Sequence, residues 1–429
     1  MSIVLDAIMK RFIRFGSLDI RYPDGTVRRY GHSDGSSQSP CAGLWLRTPD
    51  AVRGMIMNPG LLLPEAYMDG GIEPLDCTLF ALMDVLMLNS EHSIHPAARL
   101  VTRMRRLRRS WSQFNPMPRA RQNVAHHYDL NGRLYSLFLD RDRQYSCAYF
   151  PRGDETLDEA QEAKKHHIAA KLKLDRPGLR VLDIGCGWGG MALTLARDYG
   201  AIVTGITLSS EQLAEARARA DAEGLADRVR FELADYRTIR QRFDRIVSIG
   251  MFEHVGITQF NGYFAQLRDC LTEDGVALVH SIGRSDGPGA TSAWIEKYIF
   301  PGGYAPALSE TLAIIERSGL FVTDIEILRL NYAKTIAIWR RRFAANRDVI
   351  ASLYDERFCR MFELYLAGSE LAFRRQAQMN FQIQLTRRME TLPITRDYMN
   401  AVERTRGPQP EEISRTLHAV ADMAADIGS

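Results

Sequence analysis

Hydrophobic and polar residues follow two different patterns along the chain, and the change between them predicts two structural units. Residues 18–30 contain two short alternating runs around a Pro-Asp-Gly turn at 23–25, which predicts a β-hairpin. Residues 64–89 carry apolar positions at helical spacing and are predicted to be largely helical. Together these patterns predict a small N-terminal α+β domain over residues 1–100.

From about residue 123, short runs rich in β-branched residues alternate with helical segments. The predicted strands cover residues 179–185, 201–207, 229–235, 243–249 and 275–282. Helices are predicted over 191–200 and 211–223, with further helical segments between the later strands. This alternation predicts an α/β fold with a parallel sheet and helices on both faces. Ligands of such sheets bind beyond the carboxyl ends of the strands, so we expect the chemistry at that edge.

The composition is that of an ordinary folded protein, with 45% hydrophobic and 25% charged residues among 429, and it excludes a disordered or collagen-like chain. Apolar stretches fall far short of the roughly 18 residues that span a bilayer. Charged residues near the N-terminus interrupt any signal-peptide core, so we expect a soluble intracellular protein. The six cysteines include no C-x-x-C pair, which gives no indication of a zinc knuckle or disulfide framework.

Basic residues are concentrated before the predicted sheet. The chain has a net charge of +3, of which residues 1–122 carry +5 and the remainder −2. Several arginines follow one another with no acidic residue between them: Arg103, Arg105, Arg106, Arg108, Arg109, Arg119 and Arg121. The segment 101–122 is interpreted as a basic linker that is either simply solvated or bound to an anionic surface. Charge alone is compatible with nucleic acid and with anionic phospholipid.

The predicted strand that ends at Gly185 runs into the glycine-rich turn G-C-G-W-G-G at residues 185–190. Glycines at the first, third and sixth positions of this turn satisfy the dinucleotide pattern G-x-G-x-x-G. Asp183, together with glycines at the first, third and fifth positions, instead fits the first motif of S-adenosylmethionine (SAM) methyltransferases. Both nucleotide classes therefore remain open at this point.

Two features further along favour SAM. A dinucleotide fold expects an acidic residue for the ribose after the second strand, whereas residues 207–209 are the neutral sequence Thr-Leu-Ser. The third strand is followed by Asp-Tyr-Arg at 235–237, where methyltransferases place polar and aromatic residues around adenine. An NAD-dependent oxidoreductase is the alternative from a different class.

Several longer blocks occur in a fixed order along the chain. They are HHYDLNGRLYSLFLD (126–140), YSCAYF (145–150), VLDIGCGWGG (181–190), GITLSSEQ (205–212), ADYR (234–237), GMFEHVG (250–256), HSIG (280–283), NYAKTIAIW (331–339) and YLAGSELAFR (365–374). In this order they resemble the cyclopropane-fatty-acyl-phospholipid synthases and their mycolic acid relatives. The resemblance implies a Rossmann-like class I SAM-methyltransferase domain over 123–399, followed by an extension of unknown role over 400–429.

The resemblance also implies an activity. Members of the family methylate the cis double bond of an unsaturated acyl chain in membrane phospholipid and close a cyclopropane ring. Phospholipid, rather than nucleic acid, is then the expected partner. The protein would be cytoplasmic and peripherally associated with the inner face of the membrane. Residues 1–100 would be a lipid-binding and association domain, and a homodimer is compatible with the family.

The matching blocks assign residues to SAM, with two residues covering it, a strand and turn beneath it, a ribose-side segment and an adenine-side segment. In that order they are Tyr145 and Ser146; Val181, Leu182, Asp183, Ile184, Gly185, Cys186, Gly187, Trp188 and Gly189; Thr207, Leu208, Ser209 and Gln212; Asp235, Tyr236 and Arg237. No metal is implied.

The family closes the ring with a bound bicarbonate ion as the base. The residues that resemble its holders are Glu253, His280 and Tyr332, with backbone groups of Cys147 and Ile282. An anion beside an apolar pocket is costly to desolvate unless it is hydrogen-bonded, and an imidazole, a phenol and amides lower that cost. Glu253 would orient the ion or accept its proton.

Attack by the alkene leaves a carbocation on the acyl chain, which water would capture unless the pocket is dry. Aromatic faces stabilise such a cation by about 0.5–2 kcal/mol. The candidate rings are Tyr149, Phe150, Phe252, Trp294 and Tyr304.

One position departs from several well-known family members, because Ser369 occupies the place of a cysteine within the block YLAGSELAFR. Either the thiol is dispensable, or the product is a methylene or methyl branch formed from the same cation without ring closure. A lipid-binding protein that has lost turnover is a further alternative, and the presence of Glu253, His280 and Tyr332 speaks against it.

Overall fold

The computed structural model describes residues 3–32, 40–92, 113, 116 and 132–406. The predicted basic linker, apart from two of its residues, lies outside this description, and so do the start of the block at 126–140 and most of the extension after residue 400.

The helices and strands are as follows. The helices are α1 (Ile3–Phe12), α2 (Pro49–Met57), α3 (Pro59–Met68), α4 (Leu79–His92), α5 (Gly132–Phe138), α6 (Leu157–Lys171), α7 (Gly190–Tyr199), α8 (Ser210–Ala222), α9 (Phe260–Cys270), α10 (Leu308–Ile315), α11 (Asn331–Ala345), α12 (Arg347–Leu353), α13 (Glu356–Arg375) and α14 (Asp397–Arg406). The strands are β1 (Ser17–Arg21), β2 (Val27–Gly31), β3 (Cys41–Leu46), β4 (Ile72–Pro74), β5 (Arg180–Ile184), β6 (Ile202–Thr207), β7 (Val229–Leu233), β8 (Phe243–Ile249), β9 (Leu271–Arg284), β10 (Phe321–Ile327) and β11 (Gln378–Thr386).

The N-terminal unit contains a four-stranded sheet in the order β2-β1-β3-β4. Strands β1 and β2 pair antiparallel, which confirms the predicted hairpin. The prediction of a largely helical segment over 64–89 is wrong in its middle, where β4 pairs with the end of β3. Gly70 has a φ of 74°, a backbone conformation that glycine adopts readily and that ends α3.

The second sheet has seven strands in the order β10-β11-β9-β8-β5-β6-β7. Strands β5 to β9 run parallel, as predicted. Strands β10 and β11 were not predicted, and β11 runs antiparallel to both of its neighbours. The sheet is therefore mixed rather than wholly parallel. Its strand order reverses between β5 and β8, and a crevice for ligands forms at that point in such folds.

The N-terminal unit packs against α13 and the segment 294–300 of the larger domain. Trp294, Ile299 and Leu364 belong to the apolar core of the N-terminal unit. The Arg360 guanidinium donates to the Tyr67 carbonyl at 2.6 Å. This packing sets α3 and α4 over one side of the large sheet's ligand edge. Within the part of the chain that the structure describes, no helix is long and apolar enough to cross a bilayer.

Candidate active site

A first pocket, of about 100 Å³, lies beyond the carboxyl ends of β5, β6 and β8. It is the position that the strand order predicts for a nucleotide. The predicted cofactor residues that line it are Ile184, Gly185, Gly187, Thr207, Leu208, Gln212, Asp235, Tyr236 and Arg237. We call this space the cofactor pocket.

The glycine-rich turn brings the start of α7 close to the sheet. Gly189 has a φ of 88°, and a Cβ there would lie 2.8 Å from the Phe231 ring. A larger residue would be strained by its backbone and would displace α7 from the floor of the pocket. Glycine at this position is therefore required by packing as well as by the turn.

Hydrogen bonds hold the polar segments of the pocket in place. The Thr207 hydroxyl donates to Gln212 Oε1 at 2.9 Å, and Ser209 Oγ accepts from the Gln212 amide at 3.3 Å as the N-cap of α8. The Asp235 carboxylate receives the Arg237 guanidinium on both oxygens, at 2.8 and 2.7 Å. The charge of Asp235 is therefore compensated by Arg237, two residues further along the chain.

Other predicted cofactor residues lie beneath or beside the pocket rather than on its surface. Val181 and Leu182 are buried in the core, as are Cys186 and Trp188, and Trp188 lies under the Arg143 guanidinium at 4.5 Å. Asp183 is 2% exposed, and burial raises its pKa to about 7. These side chains support the turn from behind.

A second cavity, of about 530 Å³, opens between the N-terminal unit and the large domain. Its lining is mostly apolar, with Pro64, Met83 and Met87 from the N-terminal unit and Ile336 and Leu364 from the large domain. We call this space the apolar cavity. Its size and lining suit a long hydrocarbon chain. Tyr145 and Ser146, which were predicted to cover the cofactor, line this cavity instead of the cofactor pocket.

The two spaces adjoin. Gly250 and His254 line both of them, and the Gly250 amide donates to the His280 carbonyl at 2.9 Å. A ligand in the cofactor pocket and a ligand in the apolar cavity are thus separated by shared lining residues rather than by a layer of core. We call the stretch formed by Gly250 and His254 the junction.

Glu253, His280 and Tyr332 all line the apolar cavity. Glu253 follows β8 in a short 3-10 turn and is 3% exposed, while His280 lies within β9 rather than after it. Burial raises the pKa of Glu253 to about 7 and lowers the pKa of His280 well below its usual value. Near neutral pH, His280 is therefore uncharged.

Two polar atoms of this set have no hydrogen-bond partner among the described residues: Glu253 Oε2 and His280 Nε2. Buried polar atoms are rarely left without partners, and such atoms on a cavity wall commonly meet a ligand. The other carboxylate oxygen, Glu253 Oε1, accepts from the Ile282 amide at 2.6 Å.

Cys147 and Ile282 also line the apolar cavity. Because the Ile282 amide donates to Glu253, it holds the carboxylate in this structure, and the predicted backbone contact of Ile282 with an anion stays a prediction. The Cys147 side chain is fully buried, and burial raises the pKa of its thiol. A thiolate nucleophile at this position is therefore disfavoured.

The candidate aromatic residues separate into two groups. Trp294 and Tyr304 line the apolar cavity, whereas Tyr149 stacks on His167 and Phe252 packs against Phe260 in the core. Phe150 also lies outside the cavity lining. Five phenylalanine and tyrosine rings not among these candidates also line the cavity: Tyr145, Phe300, Tyr332, Tyr365 and Phe373.

One polar neighbour of the site was not predicted from the sequence. The Gln382 side chain on β11 contacts His280 Nδ1 at 3.1 Å. The alternation of amides with apolar residues at 378–386 is a signal that could have predicted a strand with one polar face.

Comparison with known proteins identifies the chain. Residues 116–383 match the family described as mycolic acid cyclopropane synthetase. The chain is 38% identical to the cyclopropane-fatty-acyl-phospholipid synthase of Escherichia coli K12 over 351 residues, which cover 81% of this chain and 89% of that protein. The chain belongs to this family. It is a SAM-dependent methyltransferase of the cyclopropane synthase type, which excludes the oxidoreductase alternative.

Other relatives differ in the products that their names give. A probable fatty acid methyltransferase of Pseudomonas putida is 45% identical over 258 residues, 58% of this chain and 65% of that protein. The tuberculostearic acid methyltransferase UfaA1 of Mycobacterium tuberculosis is 34% identical over 392 residues, 86% and 88% of the two chains. The family therefore contains both ring-forming and other acyl methyltransferases.

Solved structures agree with the fold. The cyclopropane synthase MmaA2 from Mycobacterium tuberculosis aligns with a TM-score of 0.59 and 33% identity, covering 63% of this chain and 99% of that one. The mycolic acid cyclopropane synthase CmaA1, complexed with SAH and CTAB, gives the same TM-score and identity over 64% of this chain and 99% of that one. These structures share the α/β methyltransferase fold, and this chain has a separate N-terminal four-stranded sheet in addition.

The buried carboxyl of this methyltransferase predicts a pH-dependent effect on stability. The pKa of Glu253 is raised on folding, from about 4.5 to about 7. As the pH rises from 4.5 to 7, the carboxyl ionises in the unfolded protein but stays protonated in the folded protein. The fold therefore loses stability progressively over this range. Glu253→Gln removes this penalty. We expect the variant to gain roughly 3 kcal/mol over the wild type at about pH 8 relative to about pH 4.5.

Denaturant unfolding of both proteins at the two pH values measures this gain. The exposed Glu316 provides a matched control, because Glu316→Gln makes the same chemical change in contact with solvent. A difference between Glu253→Gln and wild type that is the same at both pH values would show that the pKa is not raised.

Proposed function

We propose that this methyltransferase methylates the cis double bond of unsaturated acyl chains in membrane phospholipids and closes a cyclopropane ring, with bicarbonate as the base. The observation that carries the proposal is the junction: Gly250 and His254 face both the cofactor pocket and the apolar cavity. Glu253 and His280 lie on the cavity wall next to it. A methyl donor and an acyl chain can meet there beside groups that handle a proton.

When bound, SAM supplies a methyl group on a sulfonium, which an alkene attacks only if the two are held in line. The chain's contribution is to align the alkene and exclude water. The apolar walls formed by Met83, Met87 and Ile336 would keep water away from a bound acyl chain, and exclusion of water protects a carbocation from capture.

The rings on the cavity wall support a cationic acyl chain. Tyr332 packs against Phe373 with ring centroids 4.9 Å apart, and its edge meets Trp339 at 5.8 Å. The Tyr145 hydroxyl lies 3.0 Å from the Tyr365 hydroxyl, so these two polar tips are engaged with each other. Ring faces near the chain would stabilise the cation by about 0.5–2 kcal/mol each.

The residues around Glu253 fit a small anion. His280 Nε2 and Glu253 Oε2 are buried without partners among the described residues, and both residues line the apolar cavity together with Tyr332. An imidazole and a phenol offer donors, and a carboxyl with a pKa of about 7 can exchange a proton with a bound anion near neutral pH. Bicarbonate would supply the base for the new methyl group.

The cellular setting follows from the substrate. We propose that the protein is cytoplasmic and meets phospholipid at the inner face of the membrane, with residues 1–100 as a lipid-binding and association domain. The arginine run at 103–121 would attract anionic headgroups; it lies outside the described residues. A homodimer and the role of the extension at 400–429 stay predictions.

The test is product analysis after reaction with lipid vesicles. Vesicles of phosphatidylglycerol with cis-monounsaturated chains are incubated with the enzyme and SAM, and the released acyl chains are examined by mass spectrometry and proton NMR. We expect chains one CH2 heavier with the upfield methylene signal of a cyclopropane. Glu253→Gln is the negative control, and Glu316→Gln should behave as the wild type.

Two other outcomes decide against the proposal in different ways. A chain one CH2 heavier that shows olefinic methylene protons or a methyl doublet would establish methylation without ring closure, as the names of the Pseudomonas and UfaA1 relatives and Ser369 allow. No heavier chain, from enzyme that binds SAM and vesicles, would indicate a lipid-binding protein without turnover.

A further inference from the structure

Strand β11 carries four amide side chains and one threonine on the same face, and all but Gln378 are buried. Gln378, Asn380, Gln382, Gln384 and Thr386 alternate with apolar residues that pack into the core. Buried amides destabilise a fold unless they are hydrogen-bonded. Gln384 is satisfied by the Tyr398 hydroxyl at 2.8 Å and by the Thr323 hydroxyl at 2.8 Å. Gln378 Oε1 and Asn380 Oδ1 have no partner among the described residues, whereas Gln382 contacts His280.

Gln382 lies between two groups of different character. Its side chain contacts His280 Nδ1 at 3.1 Å and Lys171 Nζ at 2.7 Å. An ammonium group has donors and no acceptor, so Lys171 must face the carbonyl oxygen of the amide. The NH2 group of Gln382 then faces His280. An amide NH2 can only donate, so His280 Nδ1 must be unprotonated in order to accept this hydrogen bond.

This arrangement determines where the His280 proton lies. A neutral imidazole carries one N–H, and with Nδ1 acting as acceptor the proton is on Nε2. His280 Nε2 is the atom that has no partner among the described residues, and His280 lines the apolar cavity with Glu253. The network thus directs an N–H donor into the cavity.

We propose that Gln382 and Lys171 are positioning residues that hold His280 in the Nε2–H tautomer, so that it donates a hydrogen bond to an anion beside Glu253. The proposal rests on the proposed function for the identity of that anion. The tautomer itself follows from the hydrogen bonds and can be measured without substrate.

The orientation of Lys171 is itself fixed. Lys171 is 1% exposed and donates to Glu326 Oε2. The same carboxylate contacts His167 Nε2 at 2.7 Å, and His167 Nδ1 contacts Glu403 on α14. The Glu326 carboxylate compensates the buried charge of Lys171. The chain of contacts runs from α14 to His280, and the charged or titratable groups that act on His280 are Lys164, Lys171, His167 and Glu326.

The test is nitrogen NMR of the enzyme with 15N-labelled histidine, with the His280 resonances assigned by their loss in His280→Ala. We expect a protonated Nε2 and an unprotonated Nδ1 in the wild type. Gln382→Glu replaces the donor by a carboxylate, which accepts from Nδ1. We expect the His280 proton to move to Nδ1, or the His280 ring to become an imidazolium. We also expect kcat to fall about 10- to 100-fold, while KM for SAM stays nearly unchanged.

Two further variants separate positioning from structure. Lys171→Met keeps Gln382 but removes the ammonium that orients it, so we expect both tautomers to be populated. Lys171→Arg retains donors and should restore the Nε2–H form. Lys171→Met and Lys171→Arg carry the test if Gln382→Glu fails to fold.

The outcomes distinguish this inference from the proposed function. A wild-type Nδ1–H tautomer, or His280 resonances that are unchanged in both Gln382→Glu and Lys171→Met, would overturn the positioning role even if cyclopropane product forms. An Nε2–H tautomer that responds to these variants, in an enzyme that makes no heavier acyl chain, would support the inference and reject the proposed function.

Discussion

Glu253→Gln and His280→Ala should each lower turnover by about two to four orders of magnitude, the usual contribution of a positioned proton-transfer group. Both side chains line the apolar cavity and neither lines the cofactor pocket. Their loss should therefore leave the affinity for SAM nearly unchanged. Steady-state kinetics on lipid vesicles gives turnover, and calorimetric titration with S-adenosylhomocysteine reports on the cofactor pocket separately.

Glu316→Gln is the matched control for the carboxylate, because Glu316 is exposed at the end of α10. It should retain full turnover. If the Glu253 and His280 variants lose cofactor affinity as much as turnover, these residues support the cofactor pocket rather than the proton transfer, and their assigned roles are wrong.

Gly250→Ala is expected to have the second-largest effect. Gly250 lines both spaces at the junction, its φ is 65°, and a Cβ there would meet no atom within 4 Å. The added methyl group would therefore enter the space between the two ligands. Displacement of reacting groups by about 1 Å costs on the order of 100-fold in rate. We expect a loss of that size in turnover, together with about 1–2 kcal/mol of destabilisation from the backbone strain.

Gly224→Ala separates strain from obstruction. Gly224 has a φ of 67°, and a Cβ at this position would likewise meet no atom within 4 Å. It lies just after the end of α8 and lines neither the cofactor pocket nor the apolar cavity. It should show the same loss of stability, measured by thermal unfolding, with unchanged turnover. Equal losses of turnover in the two variants would show that the junction is not the place where the ligands meet.

The parallel half of the large sheet was predictable because β5 to β9 are short apolar runs between helices, and local pattern determines them. Strands β10 and β11 were missed for a physical reason. β11 alternates apolar residues with glutamine and asparagine, and those amides are buried only because Lys171, Tyr398 and His280 meet them. Their partners come from distant parts of the chain, so no local pattern indicates burial.

The same distinction applies to the candidate site. The glycine turn and the segments at 207–212 and 235–237 were predictable because each follows a strand. The apolar cavity was not, because its walls combine Met83 and Met87 of the N-terminal unit with α13. Tyr145 and Ser146 are assigned to the cofactor by resemblance and line the apolar cavity in this structure, so their contact with the cofactor stays a prediction. Which side of a thin junction a residue faces depends on tertiary packing.

An acyl-chain cation at the junction has to survive until a proton leaves the transferred methyl group. Reaction with SAM carrying a fully deuterated methyl group, followed by mass spectrometry and NMR of the acyl chain, shows whether it does. We expect a cyclopropane that retains two of the three deuterons. A branched chain with all three deuterons, or a hydroxylated chain formed by capture of water, would show that the cation does not close the ring at the junction.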